Sequence, residues 1–116
     1  MRPIVCLLLL AVLNGAAFAA DITVGTMMQL KANSLSFGTA DQLAKWHTAK
    51  KNSSPAALAK YQDARLHARD AWQFLEPIDV KILSYDPSKA QVEVQMKTTG
   101  RMSDTTWFVD PSALAQ

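Results

Sequence analysis

The chain has 116 residues, 49% of them apolar, and 12 Lys and Arg against 10 Asp and Glu, a formal charge of +2. That balance excludes a basic field able to hold nucleic acid, and no block of like charge marks a disordered tail. No repeat or low-complexity tract divides the sequence, and its length fits one domain with one modest core.

The amino terminus reads as a secretion signal. Arg2 gives a basic start, Ile4 to Leu13 is an apolar run, Asn14-Gly15 breaks it, and Ala17-Phe18-Ala19 offers the small residues of a cleavage site. The run is about half the ~20 residues needed to span a membrane, so cleavage after Ala19 is expected rather than stable insertion. Cys6, the only cysteine, lies at the start of that run rather than after it, which argues against a lipid-anchored first residue. The expected product is a single globular domain, residues 20–116, periplasmic or secreted, that holds together by packing without a disulfide.

Along that domain, residues 20–25 read as a lead-in. Thr26 to Ala32 then alternates Met28 and Leu30 with Gln29 and Lys31, as a half-buried strand does. A loop carrying Leu35 and Phe37 follows. Thr39, with Gln42 three residues on, writes a helix start, and Leu43, Trp46 and Lys50 form its narrow stripe. Ser54-Pro55 starts a second helix, with a capping hydroxyl and a proline where no N–H is needed. The spacing of Leu58, Tyr61, Ala64, Ala68, Ala71 and Leu75 predicts that this helix runs from Pro55 to Leu75, so a helical hairpin is expected over residues 39–75.

A β-meander is expected over residues 78–109. Ile78 to Leu83 is its first strand, and Asp86-Pro87-Ser88-Lys89 is a turn in which the carboxylate bonds the backbone ahead and proline presets φ. Val92, Val94 and Met96 then alternate with Gln91, Glu93, Gln95 and Lys97, giving one core face and one wet face. The third strand puts Trp107 and Val109 on one side and Phe108 on the other, which predicts cover on both. Asp110 to Leu114 reads as one helical turn that tucks Leu114 under the sheet.

A strand near Met28, a long excursion, strands of the form Val80-Lys81-Ile82 and Val92-Glu93-Val94, then Trp107-Phe108-Val109 before Pro111-Ser112-Ala113-Leu114, resembles the bacterial SH3-like small barrel of exported proteins. The resemblance implies a mainly β fold with helices: an SH3-like small β-barrel with the helical hairpin inserted in its first long loop. Two features depart from that pattern: the excursion is larger than usual, and little chain follows Leu114 to form a closing strand. Peptide binding of the eukaryotic SH3 kind is not implied, because the acidic first loop and clustered tyrosines are missing. The competing architecture is an α+β roll, cystatin-like or NTF2-like. Pairing of Thr26 to Asn33 with the meander separates the two.

No serine occupies a nucleophile-elbow context, and the domain has no cysteine, so no enzyme and no cofactor are expected. His47 and His67 fall on different helices, and Asp63, four residues before His67, reads as a surface contact rather than a metal ligand. Met27, Met28, Met96 and Met102 raise a copper question, but alternation assigns Met28 and Met96 to the core. Asp104 and Asp110 read as turn residues. Trp46 and Trp72 are expected to pin the hairpin onto the barrel, with Trp107 in the core.

The functional expectation is a small exported binding or accessory domain that recognises an envelope protein or a cell-wall component. Its candidate partner-binding residues are Arg101, Met102, Phe108, Trp72 and Tyr61, around a groove between the loop at Gly100 to Ser103 and the hairpin. One alternative is an inhibitor or immunity protein against a secreted hydrolase, with Arg101 and Met102 at the tip of a protruding loop. Another is a periplasmic copper chaperone using Met27, Met102 and the histidines. Oligomeric state is left open.

Overall fold

The computed structural model describes residues 22–115, so the expected signal segment, Cys6 and the cleavage site lie outside the described residues. The fold is mainly β with two helices: seven strands form one open antiparallel sheet in the order β3-β2-β6-β5-β4-β1-β7. The strands are β1 (Met27–Leu30), β2 (Leu35–Phe37), β3 (Ala71–Gln73), β4 (Ile78–Asp86), β5 (Gln91–Met96), β6 (Thr106–Val109) and β7 (Leu114–Ala115). The helices α1 (Ala40–Asn52) and α2 (Pro55–His67) lie between β2 and β3. No described helix is long and apolar enough to cross a membrane.

The sheet grows from the alternation visible in β5. Val92, Val94 and Met96 are fully buried, and across the ladder they face Tyr85, Ile82 and Val80. A register shift between Ile82 and Ser84 inserts one extra residue, so Ile82 and Tyr85, three apart, both reach the main core. That is the work of a β-bulge. β1 pairs with β4, Met28 opposite Val80 and Leu30 opposite Ile78, so the first strand joins the meander instead of lying apart as the roll requires. A 3-10 turn at Pro111–Ala113 delivers β7 to the other edge of β1, where Leu114 faces Leu30.

β6 divides the apolar residues into two groups. Val109 and Trp107 join the main core with Met28, Leu30, Val80, Ile82, Met96 and Leu114. Phe108 points the other way, into a smaller cluster built on Phe37, Leu43 and Ala71, with Leu35, Trp46 and Leu66 at its margin. The expected cover on both sides of this strand is therefore present, and the single core carries a small satellite beneath the helices.

Both helix starts behave as the sequence predicts. The Gln42 N–H donates to Thr39 Oγ1 at 3.1 Å, and the Ala57 N–H donates to Ser54 Oγ at 3.2 Å. α1 buries Leu43 against the satellite cluster, while Lys50 Nζ lies 4.1 Å from the centre of the Trp46 ring.

The end of α2 corrects the expectation. The helix stops at His67, not Leu75, and none of its residues is fully buried. Arg69 turns left-handed, at φ 65°, and its N–H bonds the Leu66 carbonyl while that of Asp70 bonds the Arg65 carbonyl. Those two bonds are the Schellman pattern, which satisfies carbonyls left open at a helix end. The chain then leaves as β3, with Ala71 opposite Phe37 and Trp72 opposite Ser36. Ala71 is thus a core residue through a strand rather than a helix, and Leu75 is exposed. Leu35 and Phe37, expected in a loop, form β2, which bonds β3 on one side and β6 on the other.

Candidate functional site

Where α2 ends, the chain passes close to the turn between β5 and β6, and a cleft of about 370 Å³ opens between them. It is lined by Leu66, Arg69, Trp72, Arg101, Met102 and Trp107. This is the groove expected between the hairpin and the loop at Gly100 to Ser103. Three of the five sequence candidates meet there: Trp72, Arg101 and Met102.

Each wall is held by local structure. Gly100, at φ +84°, opens a single 3-10 turn through Met102, which places Arg101 outward and Met102 half-buried against the cleft. The Thr105 hydroxyl donates to the Met102 carbonyl at 2.7 Å and accepts from the Trp107 indole N–H at 2.9 Å. These two bonds fix the indole against the turn. On the opposite wall, Trp72 is 40% exposed and meets Phe74 edge-on at 6.3 Å, so part of its ring remains available.

The charges around the cleft are uneven. Arg69 and Arg101 have no carboxylate partner among the described residues. Their acidic neighbours are occupied elsewhere: Asp70 by Arg65 at 2.6 Å and Asp104 by Lys97 at 3.0 Å. No carboxylate lines the cleft.

Two sequence candidates are not part of this face. Phe108 packs into the satellite cluster, on the opposite side of β6 from Trp107. Tyr61 lies one turn before Arg65, whose guanidinium is 5.7 Å from the centre of its ring. Leu66, Arg69 and Trp107 complete the lining of the cleft. Leu66 and Arg69 read as parts of a continuing helix, and Trp107 as core.

A second cleft, about 230 Å³, is polar and includes Asn33, Trp46, Gln62, Gln73 and Asp110. Its polar side chains bond one another or the main chain. The Trp46 indole donates to Gln62 at 2.8 Å, and Gln73 Nε2 donates to the Asn33 carbonyl at 2.8 Å. Beside them, His47 Nε2 and Asp110 Oδ1 are 2.8 Å apart, joining α1 to the end of β6. Asp110 also accepts from the Ser112 hydroxyl and, at 2.9 Å, from its N–H. Burial opposes ionisation of Asp110, but the bonds from Ser112 and His47 and the charge of Lys50 outweigh it, holding the carboxyl below its ordinary value. An ionised carboxylate only accepts, so His47 carries its proton on Nε2 in this bond. The serine bonds the aspartate and not the histidine, so the trio braces the hairpin and is not arranged as a nucleophile with its base.

Met27, 55% exposed, lines a shallow surface with Gln29 and Asp79, away from the cleft that holds Met102. His67 pairs with Asp63 on the surface of α2. Among the described residues, no group of three or more His, Cys, Asp or Glu is placed to hold a metal. Comparison with protein-family models, curated proteins and solved structures gives no match.

Proposed function

We propose that the protein is a small exported, non-enzymatic binding domain, periplasmic or secreted, that recognises an envelope protein or cell-wall component through the Trp72–Trp107 cleft. The observation that carries this reading is the meeting, in one concave place, of two indole rings, a methionine and two arginines that have no carboxylate partner among the described residues. Aromatic and arginine side chains around a dry pocket are the usual anchors of protein recognition. The strand path β7-β1-β4-β5-β6, with one 3-10 turn before β7, supports viewing the β portion as an SH3-like small barrel. The hairpin is then an insertion that brings a second wall to the cleft.

The setting of Met102 favours this reading over the inhibitor alternative, because the residue lines a concavity instead of standing at a protruding tip. Placement of Met27 and Met102 on separate surfaces gives the copper alternative no common site.

Capture of partners from envelope extract by the wild-type protein and by Arg101→Ala tests the proposal. A partner retained by the wild type and lost from Arg101→Ala, with an unchanged melting temperature, is the expected result. Equal retention by both proteins, or none by either across a range of salt, contradicts it. Phe108→Ala serves as the contrasting variant and should lower the melting temperature, since its ring fills the satellite cluster.

A further inference from the structure

The cleft also indicates the chemistry of what it takes, an inference that rests on its being the recognition face. We propose that its ligand is an acidic segment of a partner protein, with a bulky apolar side chain seated between Trp72 and Trp107 and a neighbouring carboxylate paired with Arg69 and Arg101. Charge complementarity carries the argument. Both arginines flank apolar walls made by Leu66, Met102 and the two indoles, while the nearby carboxylates Asp70 and Asp104 are already engaged by Arg65 and Lys97. A ligand that brings its own carboxylate supplies those guanidinium groups with a partner that the described residues do not provide, and an Arg–carboxylate pair at the edge of an apolar pocket is stronger than one in open water.

Shape selects a peptide over a bilayer. A volume of about 370 Å³ is at the small end of ligand pockets and suits one or two large side chains. Binding to a lipid surface requires apolar groups that project outward, whereas these line a concavity.

Backbone geometry fixes the place of Arg69 beside the cleft. The residue sits at the C′ position of a Schellman motif with φ 65°, where glycine is the unstrained choice.

The test pans random phage-displayed heptapeptides over the protein, purified as its host processes it, and titrates synthetic copies of the enriched sequences by tryptophan fluorescence. Expected is enrichment of Asp or Glu beside Phe, Leu or Trp, with binding weakened about tenfold or more in Arg101→Ala and in Arg69→Gly and weakened again by added salt. Enrichment of basic or uncharged sequences, or binding that ignores both arginine variants, overturns the ligand class. The cleft reading survives that result if Trp72→Ala still abolishes binding. No enriched peptide, together with tight binding to anionic phosphatidylglycerol vesicles, overturns both in favour of a membrane surface. No enrichment and no vesicle binding likewise overturns the acidic-segment proposal.

Discussion

Arg69 and Asp110 show how single side chains set local costs in this fold. A non-glycine residue in the left-handed region costs roughly 1–2 kcal/mol. Arg69→Gly removes that strain and keeps both Schellman bonds, so its melting temperature should equal or exceed the wild type's by a few degrees, measured by circular dichroism. A fall would mean that the arginine stem contributes packing that outweighs the strain. Asp110 works in the opposite sense. Its folded carboxyl titrates below the ordinary value, so the stability it contributes is fully present above the unfolded-state pKa of ~3.9 and is lost as pH falls through the folded value. Asp110→Asn should therefore flatten the acid limb of stability against pH below about 4 and cost on the order of 2 kcal/mol at pH 7, through loss of charge-assisted bonds to His47 and Ser112. An unchanged acid limb would place the acid sensitivity on another carboxylate.

Among the elements, α1 and α2 look alike in sequence and differ in what they bury. Leu43 of α1 is fully buried, whereas α2 buries none of its residues completely and Leu58 stays partly exposed. Leu43→Ala should cost about 2–5 kcal/mol in denaturant unfolding, and Leu58→Ala about 1 kcal/mol or less. Similar costs at the two sites would mean that α2 is seated more deeply than its exposure indicates. The boundary of α2 was not legible because the 3-4 spacing runs on through Ala68, Ala71 and Leu75, and Arg69 stands where a glycine would have announced the stop. What ends the helix is tertiary: Ala71 to Gln73 gains ladder partners in β2. Three-residue strands whose partners lie far along the chain leave no local period to read, which is why Leu35 to Phe37 reads as a loop. By contrast β1, β5 and both helix caps were legible, since their signals are complete within a few residues: Met28 and Leu30, Val92 to Met96, Thr39, and Ser54-Pro55.

At the scale of the whole molecule, the sheet edge beside β6 is covered from within the chain. β2 pairs there through Phe37 and Phe108, β3 extends the sheet further, and β7 covers the free side of β1. The helices pack over the satellite cluster, α1 through Leu43 and Trp46 and α2 through Leu66. The long insertion therefore gives β6 a neighbour and places Leu66, Arg69 and Trp72 opposite the β5–β6 turn, which creates the cleft. The groove between hairpin and turn, with Arg101 and Met102 on it, was legible in the sequence; the contributions of Arg69 and Trp107 required the turn after α2 and the bond through Thr105. The three tryptophans report separately on the central claim, since Trp72 and Trp107 line the cleft while the Trp46 indole is bonded to Gln62 in the polar seam. The most direct measurement follows the three indole N–H resonances by NMR as a captured partner is added. Movement of the Trp72 and Trp107 signals with that of Trp46 unchanged is expected; movement of Trp46 alone, or of none while the partner binds, would rule out the cleft as the recognition face.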